Sequence, residues 1–152
     1  MCFSSQMDLA LAEAKKAAAV GEVPVGAVIV DPKGTVIASA ANRTRRDSDP
    51  TAHAEILAIR KAAKFLGNDR LVGCTMYVTL EPCAMCAGAL SHARVARIIY
   101  GAPDPKSGGT DHGARVFEHA QTHHRPEVLG GISEAACSTL IRNFFNTRRA
   151  KS

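Results

Sequence analysis

Apolar positions along the chain change their spacing several times, and each change marks an element. Over MDLALAEAKKAAAV they recur at helical intervals in an alanine-rich background, which predicts a first helix ending near Gly21. VPVGAVIV, residues 23–30, is apolar and β-branched, the signature of a buried strand. DPKG supplies turn chemistry, TVIASAAN reads as the returning strand of a hairpin, and RTRRDSD is a polar loop. Asp49 or Thr51 is suited to cap the next helix, with Pro50 compatible with its start. Ile56, Ile59 and Ala63 lie along one face of that helix with Leu57 beside them, and Gly67 stops it. TMYVTL predicts a third strand, CAMCAGALSHA a helix opening at the Pro82–Cys83 step, and RIIYGA a fourth strand. A Gly/Pro/Asp-rich loop, PDPKSGGTDHG, is followed by a short helix in ARVFEHA, a short strand in PEVLGG and a C-terminal helix starting at Ser133. Strands alternating with helices predict an α/β fold of three layers, α/β/α, around a central mixed five-stranded sheet.

Composition narrows the class. At 152 residues the chain is expected to form one domain, 1–152, with a proper core; 46% hydrophobic and 22% charged residues are ordinary for a globular protein. No uninterrupted apolar run approaches membrane-spanning length, and MCFSSQMDLA lacks the pattern of an export signal, so a cytoplasmic location is expected. Five cysteines (Cys2, Cys74, Cys83, Cys86, Cys137) then favour thiols or metal ligands over a disulfide framework. The net charge is +5, and RNFFNTRRAKS carries four cations, Arg142, Arg148, Arg149 and Lys151, with no acid. A basic tail with aromatics suits an anionic partner; a solvated helix end reads the same way from charge alone.

The chemistry resides in two short motifs. PTAHAEI contains His53 and Glu55; after a 26-residue gap, Pro82 introduces Cys83-Ala-Met-Cys86. A Cys-x-x-Cys by itself serves redox or structural roles as readily as catalysis, and a lone His is more often a hydrogen bonder than a ligand. Together, His53, Cys83 and Cys86 supply the three soft donors that a catalytic zinc takes while keeping its fourth position open. Cys83 and Cys86 are neighbours on one helical face, at the positive end of a helix, which favours thiolate. His53 and Glu55 pose a geometric difficulty, because residues two apart on a helix point in nearly opposite directions. They share a site only if it sits above the helix end. Glu55 is the informative extra: a structural zinc needs no adjacent acid, whereas hydrolysis needs a group to move protons. Cys2, Cys74 and Cys137 have no partner at ligand spacing.

The joint pattern, with EVPVGAV, NRT, DPTAHAEI, MYVTLEPC, AMCAGAL, YGAPDPKSGG and NFFNTRR, resembles the cytidine deaminase-like superfamily, and within it the bacterial tRNA-specific adenosine deaminases. That resemblance implies one Zn2+ per subunit, a homodimer, and hydrolysis of adenosine to inosine at the wobble position of a tRNA anticodon stem-loop. It implies that Glu55 moves protons between water, a ring nitrogen and the leaving amine during attack at purine C6. It also implies a base contact from Asn42, RNA contacts from Asp104 and Lys106, and a C-terminal RNA-binding segment with Phe144, Phe145, Arg148 and Arg149. One Phe of that adjacent pair is expected to pack inward. TDHGARVFEHAQTHHRP matches the family only loosely. A deaminase of free guanine or cytosine compounds on the same scaffold is the alternative, with a non-catalytic zinc-stabilised RNA-binding module a further one.

Overall fold

A computed structural model describes residues 3–151, with side chains from Gln6 to Arg148. Five strands form one mixed sheet in the order β2-β1-β3-β4-β5. β1 (Gly26–Val30) runs antiparallel to both β2 (Val36–Ala41) and β3 (Thr75–Leu80); β4 (Arg97–Ala102) and β5 (Glu127–Leu129) continue parallel to β3. Helices α2 (Ala54–Leu66) and α3 (Ala84–Ala93) cover one face; α1 (Phe3–Ala19) and α4 (Glu134–Lys151) cover the other. The expected three layers and five strands are present.

Continuous apolar strands are what a sheet covered on both sides requires. Ala27, Ile29, Met76, Val78 and Ile98 point into the α2–α3 layer, while their neighbours Val28, Val30, Tyr77 and Ile99 point into the α1–α4 layer. α1 approaches the sheet closely because its buried stripe is Ala10, Ala14 and Ala17. A Cβ on Gly26 would fall 2.0 Å from the Ala10 carbonyl oxygen, so glycine is required where β1 passes under α1.

Four boundaries differ from expectation. β1 begins at Gly26, because Pro24 has no N–H for a ladder and Val25 N–H instead turns back to the Val23 carbonyl. α2 begins after His53, not after Asp49 or Thr51; the Asp49 carboxylate is engaged by the N–H and hydroxyl of Thr51. ARVFEHA contributes only a single 3-10 turn, Val116–Glu118. α4 starts at Glu134, since Ser133 has a left-handed backbone with φ 56°. No helix among the described residues is long and apolar enough to cross a membrane.

Candidate active site

The hairpin β1–β2 delivers the chain to α2, and the end of β3 delivers it to α3, so both helices begin on the same side of the sheet. His53 is the residue immediately before α2, with extended backbone (φ −73°, ψ 151°). Being outside the helix, it escapes the opposed directions that helical residues two apart would have, and it shares the site with Glu55. Cys83 likewise precedes α3 (φ −71°, ψ 176°), and Cys86 is the third helical residue. These are the two positions whose side chains meet in a helix-capping box, which is why a Cys-x-x-Cys converges there.

His53 Nδ1 lies 3.4 Å from Cys86 Sγ and 3.7 Å from Cys83 Sγ. The three donor atoms lie within 4.8 Å of one another, and no other His, Cys, Asp or Glu among the described residues joins them. A tetrahedral zinc with ordinary Zn–N and Zn–S bonds holds such atoms about 3.5 Å apart. The residues therefore fit the ion. Their protons fit it as well. Hydrogen bonding from Cys86, then from His53, holds the Cys83 thiol down at about 4 against the effect of burial. Cys86 is pushed up, first by its bond to Cys83 and then by burial; His53 is raised by its bond to Cys83. A divalent ion binds such donors by displacing their protons.

Beside this triangle is a cavity of about 250 Å³, suited to one base more than to a large ligand, with Val23, Val25 and Leu80 as apolar walls. Glu55 reaches it from the second position of α2 and is 4% exposed; burial pushes its carboxyl up to about 7. A carboxyl poised there can both accept and return a proton near neutrality.

Asn42 follows β2 and also lines the cavity. Its Oδ1 accepts the Ala54 N–H at 2.8 Å, satisfying an orphan donor of α2 and fixing the amide plane. The carbonyl being used, the amide NH2 is the part left for a ligand. Asp104 lines the same cavity, and Lys106 is exposed two residues further on.

Phe144, Phe145 and Arg148 are elsewhere. Phe144 and Arg148 line a separate groove of about 600 Å³ between α4 and the end of α1. The Arg148 guanidinium stacks 4.7 Å over Phe144 and donates to the Gly21 carbonyl. The expectation that one Phe packs into the core is not met: Phe144 is half-buried against α1 and Phe145 is 43% exposed. The inner turns of α4 bury Cys137, and its later described side chains are half-buried or exposed. The Arg149 side chain and Cys2 lie outside the described residues. Cys74 and Cys137 are buried thiols, both pushed up by burial.

Two residues escaped the sequence reading. Glu22 accepts the N–H groups of Arg45 and Arg46 and the Arg46 guanidinium, tying down the 43–49 loop. Glu81 does the same for the loop after β4. Burial pushes both carboxyls up, but their N–H donors outweigh it and hold them below the ordinary range. The available signal was an acid embedded in an apolar run beside proline, as in GEVPVG and TLEPC.

Residues 3–102 match the family described as the cytidine and deoxycytidylate deaminase zinc-binding region. A "tRNA-specific adenosine deaminase" of Agrobacterium fabrum is 50% identical over 143 residues, covering 94% of this chain and 93% of that protein. A solved structure from work on A-to-I editing by tRNA:A34 deaminases at the wobble position superposes with a TM-score of 0.87 at 50% identity, covering 90% of this chain and 98% of the other. A guanine deaminase from Bacillus subtilis superposes with a TM-score of 0.64 at 41% identity, covering 68% and 66%.

Proposed function

Because the chain belongs to the cytidine and deoxycytidylate deaminase zinc-binding family, we propose that it hydrolyses adenosine to inosine at the wobble position of tRNA, releasing ammonia. The observation that carries this reading is a buried carboxyl, Glu55, beside a three-donor metal group in a cavity of single-base size. His53, Cys83 and Cys86 hold zinc, which when bound supplies an activated water as nucleophile near neutral pH.

The remaining work belongs to the chain. Val23, Val25 and Leu80 seat the base and exclude solvent. The Asn42 amide NH2 orients it through its polar edge. Glu55 takes the proton from the attacking water, passes it to the purine ring nitrogen beside C6, and then assists departure of the amine. Oxygen enters at C6 and the C6–N bond breaks, giving inosine and ammonia.

The RNA strand beyond the target base is held by the Asp104–Lys106 turn and by Phe144, Phe145, Arg148 and Arg149, through stacking and phosphate contact. In one subunit Asp104 lies in the pocket wall whereas Phe144 and Arg148 line the α1–α4 groove, which supports a homodimer that builds one RNA surface from two chains. A cytoplasmic location follows from a tRNA substrate. The test is inosine formation in an anticodon stem-loop, with and without a chelator, beside free adenosine, guanine and cytidine. Turnover restricted to free compounds would overturn the RNA reading in favour of a free-base deaminase. Mass measurement in solution checks the dimer.

A further inference from the structure

The loop after β4, residues 103–113, is rich in Gly, Pro and Asp and carries Asp104 into the pocket wall. Its only strand-like pairing among the described residues is a single bridge between Gly108 and Cys83. Such a chain has little reason to keep one shape, yet it closes around one buried carboxylate. Glu81 Oε1 accepts the Asp104 N–H at 3.0 Å and faces His112 Nδ1 at 2.7 Å. Glu81 Oε2 accepts the N–H and hydroxyl of Thr110 and the N–H of His112, at 3.3, 3.1 and 2.9 Å. A carboxylate accepts only, so the His112 nitrogen facing it carries the proton. The fit leaves no slack: a Cβ on Gly108 would fall 2.6 Å from Glu81 Oε2, and one on Gly109 2.6 Å from the Ala84 nitrogen.

We propose that Glu81 is a positioning residue for the reaction: latched by His112, it holds Asp104 in the wall of the base pocket. Glu81 is two residues from Cys83, but the five hydrogen bonds of its carboxylate all run to the loop and none to a metal donor.

Glu81→Gln is a selective probe. Its amide oxygen can keep the three donors on the Oε2 side, but its NH2 then confronts both the Asp104 N–H and the His112 Nδ1–H, so the Asp104 anchor is lost and the His112 latch holds only when the imidazole turns a bare nitrogen to it. The expected result is one zinc per chain, with amide exchange at Asp104 accelerated about tenfold, the loss of one buried charged hydrogen bond. On an anticodon stem-loop, KM should rise about tenfold with kcat within about threefold of the parent. His112→Leu should act in the same direction, whereas His112→Asn, which keeps an N–H donor, should restore parental behaviour. Glu127→Gln, at an exposed ion pair with Arg97, is the control. Should Glu81→Gln not fold, the two His112 variants decide the matter.

Parental exchange at Asp104 together with parental KM would overturn the proposal, as would loss of zinc in both Glu81→Gln and His112→Leu, which would make the network part of the metal centre. The kinetic arm rests on the deaminase reading above; the exchange arm does not, so a chain that edits no RNA still reports on the latch.

Discussion

Replacing Glu22 by Gln isolates the contribution of one buried charge to the fold. Oε1 of Glu22 accepts the Arg45 N–H at 3.2 Å, and Oε2 accepts the Arg46 N–H and Nε at 2.8 and 3.2 Å. A glutamine can keep its oxygen on the Oε2 side, which leaves its NH2 facing the Arg45 N–H. One partly buried donor then loses its acceptor, at a cost of at most about 1–3 kcal/mol. The Arg46 guanidinium also loses a charged partner, but its side chain is 36% exposed, so solvent screening limits that loss to about 0–1 kcal/mol. The sum is about 1–4 kcal/mol; at about 2–4 °C per kcal/mol for a chain of this size, Tm should fall by about 2–16 °C.

The pH dependence has a definite sign. The folded-state pKa of Glu22 lies below its unfolded value of 4.5, so its stabilisation is fully present above about 4.5 and disappears as pH falls through the lower folded value. Thermal melts of parent and Glu22→Gln between pH 3 and 8 should therefore differ most at neutral pH and converge at the acid end. Loss of metal in acid affects both proteins alike and cancels in the difference. A Tm difference independent of pH, or absent at pH 7, would refute this account of Glu22.

The other expectations concern the pocket and the tail. Glu55→Gln should retain zinc by elemental analysis yet lose about 10²- to 10⁴-fold in kcat, the range for a removed proton shuttle; near-parental turnover would remove Glu55 from the chemistry. Asn42→Asp keeps an acceptor for the Ala54 N–H but removes the amide donor, so melts should change little while kcat/KM falls; Asn42→Ala should also lose about 1 kcal/mol of cap stability. Arg148→Ala with Arg149→Ala should lower the slope of log K against log salt by about 0.7–0.9 for each phosphate no longer neutralised, read by RNA binding titrations. An unchanged slope would place the tail outside the interface.

Much of this architecture is legible in sequence because its driving force is local. Val28 to Val30 and Met76 to Val78 are apolar on both sides, which forces burial in a covered sheet whatever lies around them. The metal ligands are legible because their spacing reflects helix ends. What escaped depends on pairs distant in sequence. Asn42 caps a helix 12 residues ahead of it, so local turn chemistry pointed instead to Asp49 and Thr51. Glu22 and Glu81 resemble surface acids until loops 23 and more residues away fold over them. Phe144 and Phe145 could not be assigned by helical spacing alone, because the surface beside Phe144 belongs to α1, at the other end of the sequence.

Only Glu81 and Pro82 separate the last residue of β3 from Cys83. A span that short cannot absorb an inserted or deleted residue: one extra position there would rotate the cysteine pair away from His53. The stretch beyond Gly113, by contrast, rejoins the strand ladder only at Glu127, and between them it is pinned at Phe117 in the core and at His124 against Ser91 and Val95. Changes in length are therefore better placed between those pins, while the junction at the strand end is a fixed point for redesign.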